Sequence, residues 1–304
     1  MRKTNSIHPL MKEYLDYARY NQLKSDNTVK NYELDLATYQ SFITEQNKEL
    51  LNIDKKSIEQ YKIYLLNDIE LKNGKKGYSP STVARHITAV RSFYEYLKEE
   101  GYTESNPLER VKAPKIPKRN PAYLTQKQAT QLIQSTNNEN EPLRSRDRLI
   151  LLMFLTTGLR LNELANIKLS DITDNILRII GKGDKERSIV LNNDVLVALN
   201  NYLKVRPVTE SEYLFISERK SKMNNRTIQY TVDKYLQKAK LDLKGVSTHS
   251  LRHSAAVLML EHDVDLRTIQ EVLGHEKIST TEIYTHVSNK QKEQAAQKMN
   301  GLLT

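Results

Sequence analysis

Four short segments of this chain carry residue types that can handle a phosphate group. In TTGLRLNEL, residues 156–164, Gly158 permits a sharp turn at a helix end, Arg160 starts the next helix, and Glu163 stands one turn later on the same side. A guanidinium held by a carboxylate at i+3 has a fixed plane, which matters when it must fork onto two phosphate oxygens. In IIGKGDKER, residues 179–187, Lys182 sits between two glycines at a hairpin tip, where bulky neighbours cannot obstruct it. A lysine there can protonate a departing alkoxide. STHSLRHSA, residues 247–255, holds His249, Arg252 and His253, with His249 and Arg252 three apart and so on one helix face. In EVLGHEKISTTEIYTHV, residues 271–287, His275 follows Gly274 at a helix end and Tyr284 lies nine residues on.

Each segment alone has a plainer reading. Arg160 and Glu163 could be a surface ion pair, and glycine-rich hairpin tips are common. Tyr284 could pack in a core, as most of the 17 tyrosines must do if they do not line the surface. His249 and His253 at i and i+4 raise zinc, but HExxH requires a Glu where this chain has Ser250, and the charge of Arg252 would repel a cation. No metal site and no cofactor are expected. The lysine hairpin does not fit GxxxxGK[ST], so nucleotide hydrolysis has little support. What tips the balance is the joint occurrence of Arg, Lys, His, Arg, His and Tyr, each beside a turn, in one basic chain.

The elements that must position these groups are mostly helices. Val29, Tyr32, Leu36, Tyr39 and Ile43 recur at three and four over residues 28–46. Asp54 is an N-cap candidate for a helix through Ile58, Tyr61, Leu65 and Ile69, and Ser79-Pro80 opens another that Gly101 stops. That last helix has a core stripe of Val83, Ile87, Val90, Tyr94 and Leu97, with Arg85, Ala89 and Ser92 opposite. Downstream, Thr125 and Gln128 form a capping box, and Arg146–Leu155 is an apolar helix ending near Thr157-Gly158. Residues 175–191 read as a hairpin, and helices follow at about 193–204, 225–240, 249–261 and 265–273.

The chain of 304 residues has room for two domains. APKIPKRNP, residues 113–121, marks the boundary, because three prolines in nine residues forbid a regular helix. From Arg110 that strap carries Lys112, Lys115, Lys118 and Arg119 with no acid between them. It reads equally as a solvated linker or as a strap along a phosphate backbone. A net charge of +10 favours a polyanionic partner without choosing among DNA, tRNA and ribosomal RNA. The absence of Cys excludes disulfides, thiol nucleophiles and Cys-bound zinc, and suits a reducing cytoplasm. Met1–Leu10 lacks the apolar run of a signal peptide, and no stretch approaches the roughly 18 apolar residues of a membrane span.

The four segments, with NTVKNYELDL at 27–36, resemble the tyrosine recombinase (phage integrase) family, most nearly its compact Xer-type members. The resemblance spans nearly the whole chain, and no catalytic position departs from it. It implies a mainly α fold: an all-helical core-binding domain over 1–112, the linker 113–121, and over 122–304 a mostly helical catalytic domain with a small antiparallel sheet. It implies no arm-binding module of the kind found in larger phage integrases. Arg160 and Arg252 would clamp the scissile phosphate, with Glu163 in support. Tyr284 would attack it, His249 would accept the proton, Lys182 would protonate the 5′-oxygen, and His275 would hydrogen-bond the phosphate. Lys30, Arg85, Lys115, Lys118 and Arg119 are the expected DNA contacts. The implied partners are double-stranded DNA with a specific site and three further protomers, giving a homo-tetramer or a hetero-tetramer with a related recombinase. The tail from Ser288 to Thr304, ending in Met299, Leu302 and Leu303, would dock on a neighbour or on its own domain. A type IB topoisomerase or a non-catalytic DNA-binding regulator stands as the alternative.

Overall fold

A computed structural model describes residues 6–71, 74–116, 122–137, 140–181, 186–241 and 245–274. The chain divides into two compact units, Met1–Lys118 and Arg119–Thr304. The first is built from α1 (Pro9–Tyr20), α2 (Asp26–Glu45), α3 (Lys55–Asn67) and α4 (Pro80–Glu99). Ser25, Asp54 and Ser79 each accept a hydrogen bond from the backbone N–H three residues on, at Thr28, Ser57 and Thr82. Such caps satisfy a donor that the helix leaves unpaired and are each worth about 1 kcal/mol. The core is rich in tyrosine: Tyr14, Tyr39, Tyr61 and Tyr94 are fully buried. Buried hydroxyls need partners, and Tyr39 finds one in Tyr94 at 2.9 Å, while Tyr94 donates to the carbonyl of Leu50 at 2.7 Å.

Helix α4 packs against α1, α2 and α3, so more than one of its faces is covered. This corrects one expectation. Ala89, expected opposite the core stripe with Arg85 and Ser92, is fully buried. A single-stripe reading treats α4 as a surface helix, and it is the central one.

The second unit holds α5 (Gln126–Gln134), α6 (Glu141–Thr157), α7 (Leu161–Ala165), a three-residue 3-10 turn (Leu169–Asp171), β1 (Ile172–Thr173), β2 (Ile176–Ile180), β3 (Glu186–Val190), α8 (Asn193–Val205), α9 (Asn225–Lys238), α10 (Thr248–Glu261) and α11 (Leu266–Leu273). The fold is thus mainly helical with one small antiparallel sheet of order β1-β2-β3. The short β1 was not expected. Helix α6 begins five residues ahead of its expected start, because Asn140 caps it by accepting from the N–H of Leu143. Its apolar length, through Leu149, Ile150, Leu151, Met153 and Phe154, is the centre of the core, against which α5, α8, α9 and α10 pack. A smaller cluster of Ala256, Val257, Leu260, Ile269 and Leu273 joins α10 to α11.

Gly158 ends α6 with φ 61°, a left-handed cap. A Cβ placed there would stand 2.3 Å from Cδ2 of Leu273. Gly158→Ala therefore meets two penalties, about 1–2 kcal/mol for the left-handed backbone and the displacement of Leu273 from its seat. The expected result is a clear fall in the denaturant midpoint followed by circular dichroism. A midpoint equal to the parent's would mean that the close approach of α6 and α11 is not needed.

Candidate active site

The site is assembled at the C-terminal end of α11. A helix leaves its last carbonyls without partners and carries partial negative charge there. Gly274, at φ 65°, closes α11 through its N–H to the carbonyls of Gln270 and Glu271. The next three carbonyls each take a hydrogen bond from a different arginine. Arg187 Nε donates to Val272 O at 3.0 Å, Arg252 Nη2 to Leu273 O at 2.6 Å, and Arg160 Nη2 to Gly274 O at 3.0 Å. Three guanidinium groups from β3, α10 and the start of α7 thus converge on the backbone that leads into His275.

Their planes are fixed by further bonds. Arg252, 3% exposed, also donates through Nη1 to the carbonyl of Gly158 at 2.7 Å, tying the cap of α6 to the end of α11. Arg160 sits at the N-cap of α7, where its backbone N–H donates to Glu163 Oε2 and its Nη1 to Glu163 Oε1, both at 2.8 Å. Its side chain remains 43% exposed, whereas that of Glu163 is 7% exposed. The expected i+3 pair is present, but it is no surface ion pair. Arg187 forks onto the same carboxylate, Nη1 to Oε1 at 3.1 Å and Nη2 to Oε2 at 2.8 Å. Burial alone would raise the pKa of Glu163. The Arg187 fork and the donors of Arg160 overcome it and hold the carboxyl at about 2, so it is charged at any working pH.

His249 and His253 lie on α10 with Arg252, and their rings meet edge to face at 4.7 Å. Burial, then the charges of Arg252 and Arg160, lower the pKa of His249. His253 is brought down to about 4 by burial, His249 and Arg252. Both are therefore neutral near pH 7, and a neutral imidazole can accept a proton. The same charges that perturb His249 place it in the field of both expected phosphate-binding arginines.

Of the residues expected to do chemistry, Arg160, Glu163, His249 and Arg252 are brought together. Lys182, His275 and Tyr284 lie outside the described residues, as do Lys118 and Arg119 among the expected DNA contacts. Lys30 and Lys115 are exposed. Arg85 is exposed over 43% of its side chain, yet its Nη1 donates to Asp35 Oδ2 at 2.6 Å. Asp35 is buried. Its other oxygen lies 3.2 Å from His86 Nε2, whose Nδ1 faces the Tyr61 hydroxyl at 3.2 Å. Burial raises Asp35 to about 6 despite Arg85, and burial and Arg85 lower His86 to about 4. Arg187 was not expected at the site, although the alternation of its strand points to it. Leu177, Ile179 and Ile189 face inward, and Arg187 pairs with Ile179 on that same apolar phase.

Against known proteins, the model described as Phage integrase family matches residues 122–291, and that of the Phage integrase, N-terminal SAM-like domain matches residues 11–101. The chain belongs to the phage integrase family. This integrase-family chain is 37% identical over 307 aligned residues to the tyrosine recombinase XerC of Caldanaerobacter subterraneus subsp. tengcongensis, covering 95% of this chain and 86% of the relative. It is 33% identical to the tyrosine recombinase XerD of Yersinia pestis, covering 96% and 97%. Among solved structures, the fold resembles that of XerH site-specific recombinase bound to palindromic difH substrate in a post-cleavage complex. The TM-score there is 0.75, with 24% identity over 94% of this chain and 83% of that one.

Proposed function

We propose that this integrase-family chain is a site-specific DNA recombinase that breaks and rejoins strands through a 3′-phosphotyrosyl link to Tyr284. The observation that carries this reading is the convergence of Arg160 and Arg252 on the end of α11, directly before His275 in sequence, with His249 in the field of both arginines. Arg160 and Arg252 bind the non-bridging oxygens and offset the charge that builds on phosphorus in the transition state. The Tyr284 hydroxyl attacks phosphorus as His249 takes its proton. A free tyrosine, with a pKa of about 10, needs that help at neutral pH. The P–O5′ bond breaks, Lys182 protonates the leaving oxygen, and His275 hydrogen-bonds the phosphate. Rejoining reverses each step with a 5′-hydroxyl from a second duplex. One phosphodiester replaces another throughout, so the exchange is close to balanced in energy and needs neither ATP nor a metal.

Exchange through a Holliday junction involves two duplexes with two cuts each, which calls for four protomers, either four copies or a mixture with a related recombinase. The Ser288–Thr304 tail would link neighbours. In support, the second unit carries a groove of about 1210 Å³ whose apolar lining includes Ile133, Leu152, Leu155, Val197, Ala255 and Leu258. Residues 1–112 and the basic strap 113–121 would hold the duplex through Lys30, Arg85, Lys115, Lys118 and Arg119, chiefly at phosphates. The cytoplasm is the expected compartment. Among the described residues, no helix is long and apolar enough to cross a membrane.

The test uses a pool of nicked duplexes in EDTA, where the short strand released with a 5′-hydroxyl diffuses away after cleavage, so that the adduct is trapped. The expected product is SDS-stable and protease-sensitive, and sequencing its DNA gives the site. Reciprocal exchange of strands between two intact duplexes that carry the trapped site separates a recombinase from a topoisomerase that only relaxes supercoils. Binding without any adduct would favour the non-catalytic regulator.

A further inference from the structure

We propose that Arg187 is a positioning residue for strand cleavage, setting the plane of Arg160 through Glu163 while fixing the end of α11. This rests on the recombinase reading above. Arg187 links three of the segments that carry the reacting groups. It lies on β3, five residues after Lys182 in sequence. Its Nη atoms fork onto Glu163 of α7, and its Nε holds the carbonyl of Val272 in α11. The fork leaves Glu163 Oε1 shared between Arg187 at 3.1 Å and Arg160 at 2.8 Å. The carboxylate is therefore a hinge pin between two like charges, and the position of one guanidinium decides where the other can sit.

Gly274 supports the same arrangement. A Cβ at that position would stand 3.1 Å from Arg187 Nη1 and 3.2 Å from its Cδ and Cζ, so the guanidinium lies against bare backbone. The side chain of Arg187 is 13% exposed, against 43% for Arg160. Arg160 is thus the member of the pair that can reach a phosphate, and Arg187 the one that holds it. A lysine at 187 would keep the charge but could not fork onto the carboxylate while also donating to Val272.

The test compares Arg187→Lys and Arg187→Gln with the parent in single-turnover cleavage of a nicked duplex, with DNA affinity measured by mobility shift and folding by thermal melting. The expected result for Arg187→Lys is a folded protein with parental DNA affinity and cleavage slower by on the order of 10–100-fold. A pH profile adds a readout that a purely structural strut would not move. Arg187 supplies the largest of the interactions lowering the pKa of Glu163, and among the described residues Arg160, at the N-cap of α7, is the other charged group that lowers it. Without the fork, burial drives the carboxyl upward. Cleavage by Arg187→Gln relative to the parent should then fall further as pH is lowered, because Glu163 takes up a proton at a higher pH than in the parent. Adding Glu163→Gln should abolish that extra pH dependence.

Parental rates and pH profiles in the folded variants would overturn the proposal. So would affinity lost in step with rate, which would make Arg187 a DNA contact, or failure of even Arg187→Lys to fold, which would make it a strut. If the parent itself forms no adduct, the recombinase reading fails instead, a result distinguishable from all of these.

Discussion

Tyr284→Phe is expected to remove the covalent adduct while leaving DNA binding as it was. Phenylalanine keeps the ring and its packing and lacks only the hydroxyl that attacks phosphorus. The other nucleophilic side chains of the proposed set, Lys182 and the histidines, are engaged in proton transfer and phosphate binding. Arginines do not deprotonate in proteins, and a cut made by water would leave no protein on the DNA. Loss of a nucleophile from a complete site costs at least about 10⁴-fold in rate, enough to take adduct formation below detection. The comparison uses single-turnover cleavage of the trapped site and a mobility shift on the same duplex. Adduct formation by the Phe variant at a tenth of the parental rate would remove Tyr284 from the chemistry.

The second large effect is expected at Arg252, where catalysis and stability coincide. Removing its side chain deprives the carbonyls of Gly158 and Leu273 of their donors in a buried place. Each such loss costs about 1–3 kcal/mol, so Arg252→Ala should unfold several degrees lower as well as cleave on the order of 10²–10³-fold more slowly. Arg160→Ala provides the contrast. Arg160 is far more exposed, and it should lose comparable rate with a much smaller shift in melting temperature. Arg252→Lys, which keeps one donor and the charge, should recover melting temperature more than rate. Equal losses of stability at both positions would contradict the assignment of Arg252 to the joint between α6 and α11.

Much of this site is legible in the sequence, for local reasons. Capping residues announce helix starts through side-chain bonds that span three residues, and Asp54, Ser79 and Thr125 all cap as expected. Gly158 marks the end of α6, and the i+3 spacing of Arg160 and Glu163 predicts their pairing. What stayed hidden depends on contacts between distant segments. The inward burial of Ala89 depends on other helices covering a second face of α4. The fork of Arg187 onto Glu163 spans 24 residues, and its hold on Val272 spans 85. Even so, a charge on the apolar phase of β3 was a visible irregularity. A largely buried guanidinium must find acceptors, and here it finds them in Glu163 and at the helix end where the arginines meet.

The most direct test of the central claim is to identify the residue that carries the DNA. The trapped adduct would be digested with nuclease and protease, and the modified peptide sequenced by mass spectrometry. The account predicts a peptide from the 271–287 segment with a nucleotide joined through its 3′-phosphate to the Tyr284 oxygen. A nucleotide on any other residue, or one joined through a 5′-phosphate, would contradict it.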